Sequence, residues 1–406
     1  MELLSPAGNY TKASYAFNYG ADAVYMGSGF SLRKGADENS SFDLRKTIEL
    51  AKNTGKKVYV AANVFFHNSH VDDFKKYLEE LSDIKPDAVI VSDFGMINYI
   101  AKNYPFLEIH VSTQASVTNY ETARFLKDIG AKRIIPAREL RIEEIKDIID
   151  KSGIDIEVFC HGAMCMSYSG RCMLSAFMTK DDHNPAKKEK NRRLRDANLG
   201  DCAHPCRWEY KITEKMRPSL EYSVEEEDGF MKIFNSHDLC LIKHLESLRE
   251  CGVKSIKIEG RMKSSYYVAL TAMVYRDALD KGFRDEHYLE LDKVSHRPFC
   301  EGFTFGDDSV TEPVLDESYV RKTMVLGNIL EDIGDNSYRV DVLNKIEPKD
   351  ELEIISPGFK KMRLKKNDFQ LLDINGTPLT KAVRHTDLVL KTKVQPGKYS
   401  IIRKDI

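Results

Sequence analysis

Short apolar runs recur along the first two-thirds of the chain, each followed by a stretch with apolar residues at helical spacing. The runs are ELLSPA (2–7), AVYMG (23–27), KVYVAAN (57–63), AVIVSD (88–93), EIHVSTQ (108–114), RIIPARE (133–139), IEVFCHG (156–162) and SIKIEG (255–260). Each is rich in β-branched residues and apolar on both faces, the signature of a buried parallel strand. The intervening segments, among them FDLRKTIELAKNTG, DDFKKYLEELSD, ETARFLKDIG and EEIKDIIDKSG, predict helices, several ending in a glycine suited to a C-cap. Eight alternations of strand and helix predict an α/β fold, a (β/α)8 TIM-like barrel. A doubly wound open sheet is compatible with the same alternation. The barrel is preferred because eight units fit closure and no glycine-rich dinucleotide fingerprint follows the first strand.

The strand starts lie about 20–35 residues apart until the last step, where the gap from 156 to 255 is 99 residues. About 65 extra residues, at about 163–232, are therefore inserted after the seventh strand. Loops that follow strands lie on the catalytic face of such a barrel. After the eighth strand, MKSSYYVALTAMVYRDALDKG (262–282) predicts a long closing helix. The period then changes to short alternating strands, MVLGNILE, SYRVDVLN, DELEIIS, LVLKTK and YSIIRK, separated by turn signals. The expected organisation is a barrel over 1–310 carrying the insertion, and a small all-β barrel domain over 320–406.

Composition narrows the class. Hydrophobic residues are 42% of the 406, charged residues 31%, and the net charge is -2. These are values for a soluble globular protein, and any nucleic-acid surface must be a local patch. MELLSPAGNY has no basic region followed by an apolar run, and no apolar stretch of about 18 residues exists. A cytoplasmic location without a membrane partner is the expectation. The eight cysteines then suit reduced thiols, catalysis or metal binding better than disulfides.

Four cysteines form a constellation. The sequence reads CHGAMCMSYSGRC at 160–172 and GDCAHPCRWEY at 201–210. Cys165 and Cys172 are seven apart; Cys202 and Cys206 are four apart. Four thiolates make a full ligand set for a 4Fe–4S cluster or for zinc. Structural zinc favours tighter CxxC pairs, so the cluster is preferred, with zinc and unliganded thiols as alternatives. Cys160, Cys240, Cys251 and Cys300 are expected in the core, with Cys160 the reserve ligand.

Polar residues gather at the predicted strand ends: Ser5, Asn63, Asp93, Ser112, Gln114, Arg138, Glu139, His161, Glu259 and Arg261. That is where barrels keep catalytic groups. Asp93 and Ser112 equally suit helix caps, Glu259 and Arg261 suit mutual pairing, and His161 suits either acid–base work or a structural hydrogen bond. The insertion carries KKEKNRRLR (187–195), six of nine residues basic. Lys187, Lys188, Arg192, Arg193 and Arg195 form either a solvated loop or a phosphate-contacting one. Trp208 and Tyr210 are placed to stack a base, or to pack locally.

HGAMCMSYSGRC, GDCAHPCRWEY, NSHDL, IKIEGRMKS, the opening LLSPAGN and GADAVYMG together resemble the signature of peptidase family U32, over about residues 1–310. In one branch the resemblance implies a prephenate-dependent conversion of the wobble uridine of tRNA to 5-hydroxyuridine. Other members hydroxylate a ribosomal RNA cytidine or ubiquinone precursors. The resemblance also implies Fe–S ligation by Cys165, Cys172, Cys202 and Cys206. A prephenate-like donor carries two carboxylates, so Arg33, Arg138 and Arg261 become candidate clamps, with Asn63 and Gln114 beside them and His161, Glu259 and Arg261 as candidate catalytic groups. Hydrolysis is the alternative. No HExxH or GxSxG motif occurs. The Cys160–His161 pair is a poor dyad if adjacent strand residues face opposite sides.

Overall fold

The computed structural model describes residues 1–27, 29–31, 41–164, 175, 202–203, 205, 212–213, 221–222, 226–227, 230–231, 237–306 and 320–406. The chain divides into two compact units. One comprises Met1–Ala13, Asp22–Met262 and Arg297–Ser318, the other Ser14–Ala21, Lys263–His296 and Tyr319–Ile406.

All eight expected strands of the first unit form. They are β1 (Glu2–Pro6), β2 (Ala23–Met26), β3 (Lys57–Ala62), β4 (Ala88–Val91), β5 (Glu108–Val111), β6 (Arg133–Ile134), β7 (Asp155–Ala163) and, after β8 (Asp238–Cys240), β9 (Ser255–Ile258). Closure decides between barrel and open sheet. Strand β9 runs parallel to both β1 and β7, with Ser255 opposite Glu2 on one side and Glu157 on the other. Eight parallel strands thus make a closed barrel.

Helices fill the connections: α1 (Tyr10–Asn18), α2 (Ser41–Thr54), α3 (Asn68–Ile84), α4 (Phe94–Asn103), α5 (Tyr120–Asp128), α6 (Ile142–Ser152) and α7 (Leu245–Cys251). Helix α3 buries Phe74, Leu78, Leu81 and Ile84, one stripe at helical spacing. The Asp93 carboxylate accepts from the Met96 N–H at 2.9 Å and starts α4. Gly153 (φ 60°) and Gly252 (φ 96°) end α6 and α7 in the left-handed conformation that a side chain would disfavour.

Strand β7 is longer than its neighbours, and its extra length carries an extension not foreseen from sequence. Strand β8 pairs antiparallel with the end of β7, and β10 (Phe299–Cys300) pairs parallel with β8. A buried ion pair fastens it: the Arg297 guanidinium donates to Asp238 Oδ1 through Nε at 3.0 Å and Nη2 at 2.7 Å.

The second unit contains α8 (Ser265–Lys281), the expected long helix, then α9 (Asp285–Leu291) and seven antiparallel strands. These are β11 (Thr323–Gly334), β12 (Ser337–Val342), β13 (Leu352–Ser356), β14 (Lys360–Leu364), β15 (Phe369–Leu372), β16 (Leu388–Thr392) and β17 (Ile401–Asp405). The five expected strands are present, and β14 and β15 are additional. Strand β14 hides in sequence because KKMRL offers only Met362 and Leu364 as an apolar face. The sheet order is β14-β13-β17-β11-β12-β16-β15. It curls into a half-barrel whose two edge strands are joined by the 365–368 turn. Leu326, Ile329, Val340, Ile354, Leu390 and Ile402 are among the residues of its core.

A buried arginine organises this unit. Arg403 is fully buried; Nε donates to Glu353 at 2.8 Å, Nη1 to the Tyr266 hydroxyl at 2.9 Å, and Nη2 to Glu290. Lys293 reaches the same Glu353 carboxylate at 3.0 Å. Burial pushes the Glu353 carboxyl up, but Arg403 and Lys293 overcome it and hold it at about 2. Its stabilisation is therefore complete above the ordinary carboxylate value of about 4.3 and is lost as pH falls through the depressed one. Denaturant unfolding of the full chain should lose stability between about pH 4 and pH 2. Arg403→Gln, which takes the shared cation from buried Glu290 and half-buried Glu353, should cost about 3–5 kcal/mol at neutral pH. Unchanged stability of that variant would contradict the assignment.

Candidate active site

Strand alternation sends every second side chain into the barrel. Leu4, Ala23, Tyr25, Tyr59, Ala88, Ile90 and Ile135 form one buried cluster there, with Phe159 packed against it. Below it lies a layer of charge. Arg133 Nη1 donates to Glu2 Oε1 at 2.6 Å and to Glu157 Oε2 at 3.0 Å, and Lys257 Nζ donates to Glu157 Oε1 at 3.1 Å. The Tyr59 hydroxyl and the Ser255 hydroxyl complete Glu2, at 2.7 Å and 2.9 Å. Two acids and two bases thus close a neutral, hydrogen-bonded cluster.

Glu157 is fully buried, which opposes its charge, yet it faces both Lys257 and Arg133 and is held below the usual carboxylate range. Lys257 shares that anion with Arg133, and burial draws its ammonium below the ordinary value. His110, packed edge-on to Tyr59 at 4.6 Å, is likewise lowered by burial. None of these buried groups stood out in sequence, because each lies within a short, mostly apolar strand and only the strand register brings them together.

Lys257 also reaches toward the C-terminal ends of the strands. Its ammonium lies 4.4 Å from the Tyr25 ring centroid and 5.4 Å from that of Phe159. The Tyr25 hydroxyl donates to Glu259 Oε2 at 3.3 Å and to the Ile258 carbonyl at 3.1 Å. The Arg138 guanidinium lies 3.9 Å from the Phe159 ring, and Nη1 donates to the Ala163 carbonyl at 2.9 Å. The Glu259 N–H donates to the His161 carbonyl at 2.8 Å. Arg138, Glu259 and His161 are thus drawn to one sector of the mouth, over β6, β7 and β9.

A second sector lies over β3, β4 and β5. Asn63 Nδ2 donates to the Ser112 hydroxyl at 3.1 Å, and the Ser92 hydroxyl donates to the Asn63 carbonyl at 3.2 Å. Ser112 Oγ accepts from the Gln114 N–H at 3.3 Å, opening the short 3-10 turn Thr113–Ala115. Gln114 Oε1 is buried and, among the described residues, has no hydrogen-bond partner. It is an acceptor available to a ligand's donor. Arg261 is buried elsewhere: Nη1 donates to the Ser31 hydroxyl at 3.1 Å, and its carbonyl accepts from Lys12 at 3.2 Å. It braces the loop after β2.

The alternation argument against a Cys160–His161 dyad does not hold locally. The register of β7 against β9 slips there, Lys257 facing Phe159 and Ile258 facing His161, so Cys160 is an extra residue in a bulge. Partnering separates the pair instead. Cys160 is fully buried with its thiol on the Lys257 carbonyl at 3.4 Å, and the His161 ring packs on Phe299 at 5.5 Å.

Of the four constellation cysteines, Cys202 is described: it is half-buried and forms no disulfide, and the neighbouring Ala203 N–H donates to Ser175 at 2.8 Å. Cys165, Cys172, Cys206, Arg33, Lys187, Lys188, Arg192, Arg193, Arg195, Trp208 and Tyr210 lie outside the described residues. Cys160, Cys240, Cys251 and Cys300 are all buried. No helix among the described residues is long and apolar enough to cross a membrane.

The fold and mouth define a parallel β/α barrel with polar and charged groups at its strand ends, the arrangement of a barrel enzyme. The family model for peptidase family U32 matches residues 8–312, and the chain belongs to that family. It is 38% identical over 351 residues to tRNA hydroxylation protein P of Haemophilus influenzae, covering 74% of this chain and 73% of that protein. It is 35% identical over 404 residues to tRNA hydroxylation protein P of Escherichia coli, covering 88% and 86%. It is also 34% identical over 409 aligned residues to tRNA hydroxylation protein P1 of Bacillus subtilis, covering 98% and 93%.

Removing the shared anion tests the charge layer. Glu157→Gln leaves Lys257 and Arg133 buried with less negative charge and should cost about 3–5 kcal/mol in denaturant unfolding. Adding Lys257→Met to that variant should recover part of the loss. Additive losses in the double variant would contradict coupling through Glu157.

Proposed function

We propose that this chain is an RNA-modifying hydroxylase that converts the wobble uridine of tRNA to 5-hydroxyuridine, with prephenate as co-substrate. The observation that carries this is the 34–38% identity to three tRNA hydroxylation proteins over 74–98% of the chain. The mouth supports a small anionic donor. Arg138 presents a cation on the Phe159 ring for a carboxylate, Gln114 offers a buried acceptor for a hydroxyl, and Tyr25 holds Glu259 in place. Arg33 is the further cation proposed for the donor's carboxylates, and His161 and Glu259 are the groups proposed to move protons. The basic loop with Lys187, Lys188, Arg192, Arg193 and Arg195, together with Trp208, is proposed to contact RNA.

A 4Fe–4S cluster on Cys165, Cys172, Cys202 and Cys206 is the proposed cofactor, with zinc as the alternative. Cys202, half-buried and outside any disulfide, suits either as a thiolate ligand. When bound, such a cluster supplies one-electron transfer. The reaction is proposed to take place in the cytoplasm.

Nucleoside analysis of tRNA from cells lacking the gene tests the reading. The account expects loss of 5-hydroxyuridine and its derivatives, restored by the wild-type gene and not by Cys202→Ser. Anaerobically purified protein should hold about four iron and four sulfide per chain; a single zinc would replace the cluster by the alternative. An unchanged tRNA nucleoside profile would overturn the proposed function.

A further inference from the structure

The charge of the chain is divided unevenly. Residues 320–406 contain 17 Lys and Arg against 12 Asp and Glu, a surplus of five positive charges in a chain whose net charge is -2. The surplus is concentrated in KKMRLKK (360–366), five basic residues in seven with no acid among them. This segment is strand β14, the edge of the half-barrel, and the start of the turn beyond it.

The cations differ in how they are used. Lys361 is occupied by Glu286 at 2.5 Å and Glu290 at 3.3 Å. Lys360, Lys365 and Lys366 are exposed and have no acidic partner among the described residues. Arg363 is 80% exposed; its nearest acid, Glu353 at 3.5 Å, is already shared by Arg403 and Lys293. Lys393 joins them. Thr392 pairs with Phe369, and its hydroxyl donates to the Asp368 carbonyl at 3.1 Å, which sets the exposed Lys393 beside the 365–368 turn. The one acid of that turn, Asp368, accepts from the Lys365 N–H at 2.8 Å.

A single lysine suffices to keep an edge strand from pairing with another chain. Five exposed cations, two on the strand, two just past its end and Lys393 beside the turn, exceed that need. At about 3.3 Å per residue strand β14 extends about 13 Å, and Lys365 and Lys366 continue the cations into the turn beyond it. A row of that length matches a run of backbone phosphates, whose regular negative charge such a row neutralises with release of counterions.

We infer that Lys360, Arg363, Lys365, Lys366 and Lys393 form a docking edge for the phosphate backbone of RNA. This inference rests on the proposed function and deepens it. The half-barrel grips RNA by charge, without reading sequence, while the barrel mouth performs the chemistry. The edge is separate in sequence from the basic segment 187–195 and contributes affinity.

The test is tRNA binding by the full-length protein, measured by fluorescence anisotropy across a salt series. The quadruple variant Lys360→Glu, Arg363→Gln, Lys365→Glu, Lys366→Glu changes exposed residues and sets no new anion beside Glu353. It should bind at least about 10-fold more weakly near physiological salt, with a log–log salt slope shallower by about 2–4. Lys52→Glu with Lys102→Glu, on exposed helix positions of the other unit, should leave both quantities near wild type. Equal binding by the quadruple variant and wild type would overturn the docking edge and leave the hydroxylase reading standing. Equal weakening by the control pair would reduce the effect to net charge and also overturn it. A wild-type protein that binds no tRNA would sink both.

Discussion

Glu157 sits where the barrel closes. Its strand pairs with β6 on one side and β9 on the other, and its carboxylate joins the cations those two strands bring, Arg133 and Lys257. A carboxylate with no exposed surface is tolerable only when such partners satisfy it. Arg133 then hands on to Glu2 of β1, which also accepts from Tyr59 of β3, so one hydrogen-bonded cluster ties five of the eight barrel strands together. An apolar interior would hold these strands by packing alone. This one also fixes Lys257, which lies beneath the rings of Tyr25 and Phe159, and these rings carry Glu259 and Arg138. The candidate site residues of the mouth therefore rest on the charge layer below them.

The same logic recurs in the second unit. Arg403 is buried between Glu290 and Glu353, as Glu157 is between two cations, and joins α9, β13 and β17. Its far edge turns the opposite way: charge there is exposed and unspent. Buried charge is paired, whereas exposed cations without an acidic partner among the described residues cluster at this edge. This division separates residues that hold the molecule together from those available to a polyanionic partner.

Much of the barrel was legible in sequence because its strands are buried on both faces and stand out as apolar runs bounded by amphipathic helices. All eight fell where the runs lie. Asp93 was legible as a helix cap, and the strand-end positions Asn63, Gln114, Arg138, His161 and Glu259 do lie at the mouth. Other features were hidden for identifiable reasons. Glu157 and Lys257 are polar residues within apolar strands, and only register shows that they meet. The bulge at Cys160 changes the facing of adjacent residues, and only the register against β9 reveals it. Arg261, expected among the reacting groups, is bonded to Ser31, because the residues after β9 turn toward the loop that follows β2. Strands β8, β10 and β14 are too short or too polar for periodicity to reveal.

The central claim is that the mouth built on this charge layer performs the modification of tRNA. The most direct measurement compares wild type and Glu259→Gln for their ability to restore 5-hydroxyuridine to tRNA in cells lacking the gene, with the thermal unfolding of both proteins recorded alongside. The account predicts that Glu259→Gln unfolds within a few degrees of wild type and restores none. Full restoration by that variant would show that the chemistry lies elsewhere than the barrel mouth.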